Sequence, residues 1–314
     1  MLPPFLSLPH PSPSPSSSPF YDTIFHHPSP IGPIRCLWWP SKSKRTPPSF
    51  ALLFIPGNPG ILDFYTQFLT AIHEKDTTSS FSIFAHSHIG HSPQLDQQHS
   101  SQYTNYSLTT QVESALQAFD AITSFLEQPA KIVIIGHSVG AWIALQVLKH
   151  RFPNIKAVFL LFPTITHISQ TPNGVWLSHF FTPLPRYLIS TLSHFTRLIP
   201  HMFLSMIFGS WPAPHILALR TLLNSPQSIR AAMTMAHDEM HNIVDLDVEL
   251  LKKHRELLYF YFAEKDDWVG EYKGMILEAF KEDIACLRVT DGMADIPHAF
   301  CISELWRSNA INGC

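Results

Sequence analysis

Charge is scarce in this chain. Only 14% of its 314 residues are Asp, Glu, Lys or Arg and the formal net charge is −3, so it carries no basic field of the kind that draws in nucleic acid. Nucleic-acid binding is set aside on that ground. Cysteine is scarce as well: Cys36, Cys286, Cys301 and Cys314 are irregularly spaced, with neither a CxxC pair nor a secretory leader. That spacing speaks against a disulfide framework and for a reduced, intracellular setting. No apolar run reaches the roughly 18 residues of a spanning helix, so no transmembrane segment is expected. No internal repeat is found. What the chain has in quantity is apolar bulk, 45% hydrophobic residues and 23 Phe, and part of that surface is expected to meet something other than water.

Proline is distributed unevenly. Thirteen of the 27 prolines precede Phe50, interleaved with serine in MLPPFLSLPHPSPSPSSSPF. Prolines at that density remove backbone donors and oppose helix and sheet alike, so residues 1–48 are expected to form a largely disordered arm. The arm has no Arg before Arg35 and no amphipathic pattern, unlike an organelle-targeting segment. Within it, IRCLWW reads as a short edge strand. From residue 49 the pattern alternates. FALLFI, FSIFAHS, KIVII, KAVFLLF, ELLYFYFA and CLRVT are apolar runs of strand length. Between them lie helical patterns, such as the stripe of Leu108, Val112, Ala115, Leu116, Phe119, Ile122 and Leu126 that Ser107 can cap. Fully apolar strands separated by helices imply an α/β fold whose mostly parallel sheet is covered on both faces. Residues 49–314 are expected to be one such domain, interrupted by an insertion at about 164–250 where the alternation stops.

The stretch KIVIIGHSVGAWIALQVLKH, residues 131–150, places Ser138 between Gly136 and Gly140, directly after a strand-like run and directly before a helical one. This is the nucleophile-elbow pattern of the α/β-hydrolase fold. Serine there occupies a strained strand-to-helix turn that only small flanking residues permit, and Gly136, His137 and Gly140 are assigned to it. The turn lifts the hydroxyl off the sheet and leaves the Val139 N–H at a helix N-terminus, where developing negative charge is stabilised. A serine hydroxyl needs an imidazole to take its proton, and the imidazole needs a carboxylate to hold its tautomer. Chain order on this fold is Ser, acid, His. Asp266 stands just beyond ELLYFYFA and His298 just beyond CLRVT, which makes them the candidate acid and base. Asp267, Asp238, Asp291 and Asp295 are the competing carboxylates, whereas of 19 histidines only His298 has that placement. The PGNPG loop after FALLFI holds the position of the second oxyanion donor, assigned to the Asn58 N–H.

LLFIPGNPGILDFYTQFL, SHIGHS, IIGHSVGAW, LLFPTI with SQTPNG, and IPHAF together resemble the lipid droplet-associated hydrolase family of α/β-hydrolases, from about residue 50 onward. PGNPG is the specific mark, standing where many other hydrolases carry His-Gly. The resemblance implies a serine ester hydrolase acting on neutral lipid esters, sterol esters among them. It would sit monotopically on the lipid droplet surface, or on the endoplasmic reticulum membrane, and use no cofactor. Ser138, Asp266 and His298 match the family's nucleophile, acid and base. Two rivals remain: a droplet-bound protein of the same fold with little turnover, and an esterase or acyltransferase for a small soluble ester.

Residues 175–214 contain no acid and only Arg186 and Arg197 as formal charges. Leu188, Leu192, Phe195 and Ile199 recur at i, i+4, i+7 and i+11, with Ser190, His194 and Arg197 on the other side. A helical lid is expected, its stripe either packed on the hydrolase core or entering a lipid surface; the missing acids and the aromatics favour the surface. SHIGHS brings His88 and His91 to a loop after a strand, either lining the pocket or as ordinary polar loop residues. HDEMH sets His237 and His241 one helical turn apart, but the zinc-protease pattern requires Glu directly after the first His, where Asp238 stands. No metal site is expected.

Overall fold

Runs of β-branched and aromatic residues become the strands of one sheet. In chain order these are β1 (Leu6–Ser7), β2 (Tyr21–His26), β3 (Pro33–Trp39), β4 (Phe50–Ile55), β5 (Phe81–His86), β6 (Lys131–His137), β7 (Ile155–Leu161), β8 (Leu258–Phe262) and β9 (Arg288–Asp291). The computed structural model describes residues 2–9, 18–43, 48–77, 81–95, 105–281, 288–292 and 296–302. Strand order is β1-β2-β3-β5-β4-β6-β7-β8-β9. From β5 to β9 every pairing is parallel, whereas β1, β2 and β3 join antiparallel and β3 closes antiparallel on β5. The parallel strands β4, β6 and β7 lie at the centre, and their apolar runs are buried because helices cover both faces.

The covering helices are α1 (Thr66–Glu74), α2 (Leu108–Phe125) and α3 (Val139–Arg151). Ser107 caps α2 by accepting from the Thr110 N–H, and Leu108, Ala115, Leu116, Phe119 and Ile122 are buried along its inner face. Between β7 and β8 the chain inserts α4 (Pro172–Leu177), α5 (Pro183–Leu192), α6 (His201–Ile207), α7 (Ala213–Leu223), α8 (Pro226–Asn242) and α9 (Val248–Lys253); α10 (Tyr272–Glu278) follows β8. Prolines open several of these helices, where the missing N–H has no intrahelical partner to lose. Among the described residues no helix is long and apolar enough to cross a membrane.

The described residues of the first 48 do not form the disordered arm that their composition predicts. Stretches 2–9 and 18–43 contribute β1, β2 and β3, and IRCLWW is no edge strand, because β3 lies between β2 and β5. The reason is local and tertiary at once. Proline falls at the start of β3 and in the flanking turns, where no ladder hydrogen bond is lost, while Cys36, Leu37, Trp38 and Trp39 are fully buried. Arg35 is 8% exposed; its guanidinium grips Asp22 (Nη2–Oδ2 2.8 Å, Nε–Oδ1 3.0 Å) and Asp63 (Nη1–Oδ2 2.5 Å). That fork locks β2 and β3 to the turn Leu62–Tyr65.

The apolar stripe of the insertion also departs from a single helix. α5 ends at Leu192, Ser193–Leu198 tighten into a 3₁₀ turn, and Ile199 is extended ahead of Pro200, because proline excludes helical backbone from the residue before it. The stripe faces outward: Leu188 is 48%, Leu192 59%, Phe195 64% and Ile199 38% exposed, while Ser190 and Ser193 are buried. Leu198, Met202 and Met206 continue the exposed apolar surface.

Candidate active site

Parallel pairing brings the C-terminal ends of β4, β6, β8 and β9 to one edge of the sheet. Four loops leave from that edge, carrying Asn58, Ser138, Asp266 and His298. The elbow residue Ser138 has φ 54° and ψ −123°, a conformation that costs an L-residue on the order of 1–3 kcal/mol and persists only where its surroundings enforce it. Close packing enforces it here. A Cβ at Gly136 would lie 2.3 Å from the Gly140 carbonyl oxygen, and one at Gly140 would lie 2.3 Å from that of Ile55. The two glycines thus let α3 press against β4 and β6.

His298 Nε2 lies 2.9 Å from Ser138 Oγ, and His298 Nδ1 lies 2.8 Å from Asp266 Oδ2 and 3.0 Å from Oδ1. An ionised carboxylate only accepts, so Nδ1 carries the proton and Nε2 accepts from the serine hydroxyl. Asp266 is oriented in turn by the Trp268 and Val269 amides, which donate to its Oδ1 at 2.9 and 3.2 Å. Its competitors among the described residues are otherwise engaged or exposed. Asp267 is exposed, Asp238 caps α2 by accepting from the Leu108 N–H at 3.1 Å, Asp291 pairs with Lys273, and Asp295 lies outside the described residues.

His137, inside the elbow, has a supporting part that its sequence position did not disclose. Its Nε2–H donates to the His298 carbonyl at 2.9 Å, and its Nδ1 accepts from the Tyr65 hydroxyl at 2.8 Å. Burial, with a smaller push from His298, lowers its pKa to about 3, so it stays neutral and keeps that tautomer. The Tyr65 hydroxyl also accepts from the Gly57 N–H at 3.2 Å. One chain of hydrogen bonds therefore joins the loop after β4, the elbow and the loop bearing His298. Phe162 stacks on Phe300 beneath it.

The Gly57 amide is engaged by Tyr65; Asn58 lines the same cavity as Ser138, and Val139 opens α3 directly after it. The SHIGHS histidines do not line this cavity. His88 and His91 are buried behind the loop, donating to the Pro56 carbonyl from Nε2 (3.0 Å) and to the Pro59 carbonyl from Nδ1 (2.7 Å). Burial holds both neutral, His91 near pKa 4. They brace the PGNPG turn from its far side.

The cavity above Ser138 measures about 400 Å³ and is walled by apolar groups, among them Ile61, Phe64, Trp211, Leu219, Met233 and Trp268. Phe181, α7 and α8 of the insertion roof it. A roomier hollow of about 580 Å³ between α5 and α8 is polar and contains none of the three residues; chemistry, not volume, locates the site. The HDEMH segment lies on α8, its His237 and His241 rings stacked. Among the described residues no three His, Cys, Asp or Glu side chains cluster to hold a metal ion. Its Glu239 enters the cavity wall instead, a position that a helical reading of HDEMH could have flagged only with the helix docked.

Comparison with known proteins agrees with this architecture. The family model described as lipid-droplet associated hydrolase matches residues 48–301. The human protein named lipid droplet-associated hydrolase is 31% identical over 294 residues, covering 86% of this chain and 84% of its own length. Among solved structures, the 2-hydroxy-6-oxo-6-phenylhexa-2,4-dienoate hydrolase of a Rhodococcus strain superposes with TM-score 0.60 at 13% identity, covering 93% of this chain and 96% of that one. A peroxisomal α/β-hydrolase of Saccharomyces cerevisiae superposes with TM-score 0.58 at 14% identity, covering 96% and 85%. At such identities these two speak for the fold alone.

Proposed function

The chain belongs to the lipid-droplet associated hydrolase family, and from that premise we propose that it is a serine ester hydrolase acting on neutral lipid esters, sterol esters among them, at the lipid droplet surface. The observation that carries the reading is the relay Ser138 Oγ, His298 Nε2, His298 Nδ1, Asp266 Oδ2, with links of 2.9 and 2.8 Å. In this reading Ser138 Oγ bonds to the ester carbonyl carbon as its proton passes to His298 Nε2. The carbonyl oxygen takes up the negative charge and meets the Val139 and Asn58 amides; losing one such donor typically costs about 10²–10³ in rate. Collapse breaks the bond to the alcohol, which leaves with the proton held on His298, and the acyl group stays on Ser138. Water then gives a proton to His298, attacks the acyl carbon and releases the acid, and Ser138 regains its hydrogen.

Two features support a lipid ester over a small soluble one. The cavity wall is predominantly apolar, and the insertion turns its leucines outward while burying serines. A half-exposed Leu or Phe gains about 1 kcal/mol on entering an acyl layer. Leu188, Leu192, Phe195 and Ile199 together supply about 4 kcal/mol, comparable to a single acyl anchor and sufficient for reversible, monotopic attachment. Reaction with a fluorophosphonate probe tests the chemistry. Labelling of Ser138 that disappears in Ser138→Ala, together with ester hydrolysis, is expected; folded wild-type protein that does not label refutes the reading.

A further inference from the structure

One polar contact crosses the cavity from the insertion to the oxyanion loop. Both hydrogens of the Asn58 side-chain amide go to α8: Nδ2 donates to the Ala232 carbonyl at 2.9 Å and to Glu239 Oε1 at 2.8 Å. Residues 232 and 239 are seven apart, two turns of the same helix face, so the amide is held between them. Glu239 is 4% exposed in a wall otherwise mostly apolar. On the opposite side the same loop is held by His88, His91 and Tyr65. Of these restraints, only the pair of bonds to α8 comes from the insertion.

We propose that Glu239 is the positioning residue of the oxyanion loop, holding Asn58 by its side-chain amide so that the Asn58 backbone N–H faces the carbonyl under attack. The inference rests on the ester-hydrolase reading of Ser138 and names a residue through which the roof of the pocket acts on that reaction. Glu239 does this as an uncharged acid. Burial raises its carboxyl to a pKa of about 8, with Asp238 adding to the rise and the Asn58 bond opposing it. Its Oε1 accepts from Asn58 while the other oxygen keeps the proton. Ionised, the same carboxyl would place a negative charge in an apolar wall beside the loop that must receive the oxyanion, where low dielectric strengthens repulsion.

The titratable groups around the cavity separate cleanly. On α8 itself Asp238 is the charged neighbour. From the other elements come His137, neutral throughout with a pKa of about 3, Cys301 at about 12, Tyr65 pushed above its ordinary value, and His298. His298 accepts the serine proton through Nε2. An alkaline limb near pH 8 belongs to Glu239.

The test compares full-length wild type, Glu239→Gln and Glu239→Leu between pH 6 and 10, measuring kcat and KM for a chromogenic ester per Ser138 labelled by fluorophosphonate. Glu239→Gln keeps a neutral acceptor for Asn58; it is expected to retain kcat within about threefold at pH 7 and to abolish the wild-type decline above pH 8. Glu239→Leu is expected to lower kcat about 10–100-fold with KM within about threefold, since the loop loses aim and not the pocket its volume. A merely structural residue would reduce the labelled fraction and leave kcat per labelled site unchanged. Wild-type kcat in Glu239→Leu overturns the inference, as does a wild-type alkaline limb in Glu239→Gln; the second holds even where the leucine variant fails to fold. Wild-type protein that never labels overturns the hydrolase reading and this inference together, an outcome distinct from either.

Discussion

Replacing Ser138 by glycine and by alanine isolates the backbone strain of the elbow from its chemistry. Both substitutions remove the hydroxyl and its 2.9 Å bond to His298, so that loss cancels between them. They differ in what φ 54°, ψ −123° costs. Alanine carries the same Cβ into the same conformation and keeps a strain of about 1–3 kcal/mol. Glycine releases the strain but gives back about 0.4–1 kcal/mol through the greater freedom of its unfolded chain. The difference leaves Ser138→Gly about 0.5–2 kcal/mol more stable than Ser138→Ala. Unfolding entropy is about 2.1 cal/mol/K per residue, which for 314 residues makes about 0.7 kcal/mol/K, so the gap in melting temperature is about 1–3 °C. Calorimetry of the two variants side by side measures it, with urea midpoints as a second reading. Ester hydrolysis is absent from both, and Ser138→Ala melts close to wild type because the hydroxyl holds no part of the core. A glycine variant that melts at or below the alanine one refutes the claim that the turn is strained; full turnover in either refutes Ser138 as nucleophile.

Gly136→Ala would set a methyl 2.3 Å from the Gly140 carbonyl oxygen and 2.7 Å from Ala141 Cα; both are backbone, so α3 must shift. A loss of about 3 kcal/mol and of fluorophosphonate labelling is expected, and a variant that labels at wild-type rate disproves the close packing. Arg35→Met leaves Asp22 and Asp63 without their cation. Their side chains are 45% and 31% exposed, so a cost of about 2–3 kcal/mol is expected in place of the 3–5 of a fully buried pair, seen as a lower urea midpoint and faster proteolysis within residues 18–43; unchanged values would mean the segment is not part of the cooperative sheet. Changing Leu188, Leu192, Phe195 and Leu198 together to Ser is expected to release a tagged protein from droplets in oleate-fed cells. Each is about half exposed or more, so stability should move by only about 0.5 kcal/mol per site; unchanged droplet staining removes the surface-contact reading.

Local sequence was enough to determine the strand-turn-helix at Gly136 to Gly140 and the order Ser138, Asp266, His298, because turn chemistry and apolar periodicity act over a few residues. It was also enough to mark residues 175–214 as an acid-free apolar insertion. Which way that stripe would face was favoured by composition but not fixed by it: Leu188 and Ser190 occupy opposite sides of one helix whichever side meets the core, and only docking α5 on α8 chose the serines. Composition misread the described stretches 2–9 and 18–43 for a related reason. Proline density is a local average, whereas the burial of Trp38 and Trp39 and the grip of Arg35 on Asp63 depend on partners elsewhere in the sheet. The contact between Asn58 and Glu239 spans 181 positions. No period or spacing encodes such a pair; it exists because folding closes that loop and withdraws a carboxyl from water, and burial, which is a property of the whole molecule, is what makes HDEMH contribute a neutral acid to the wall of the pocket.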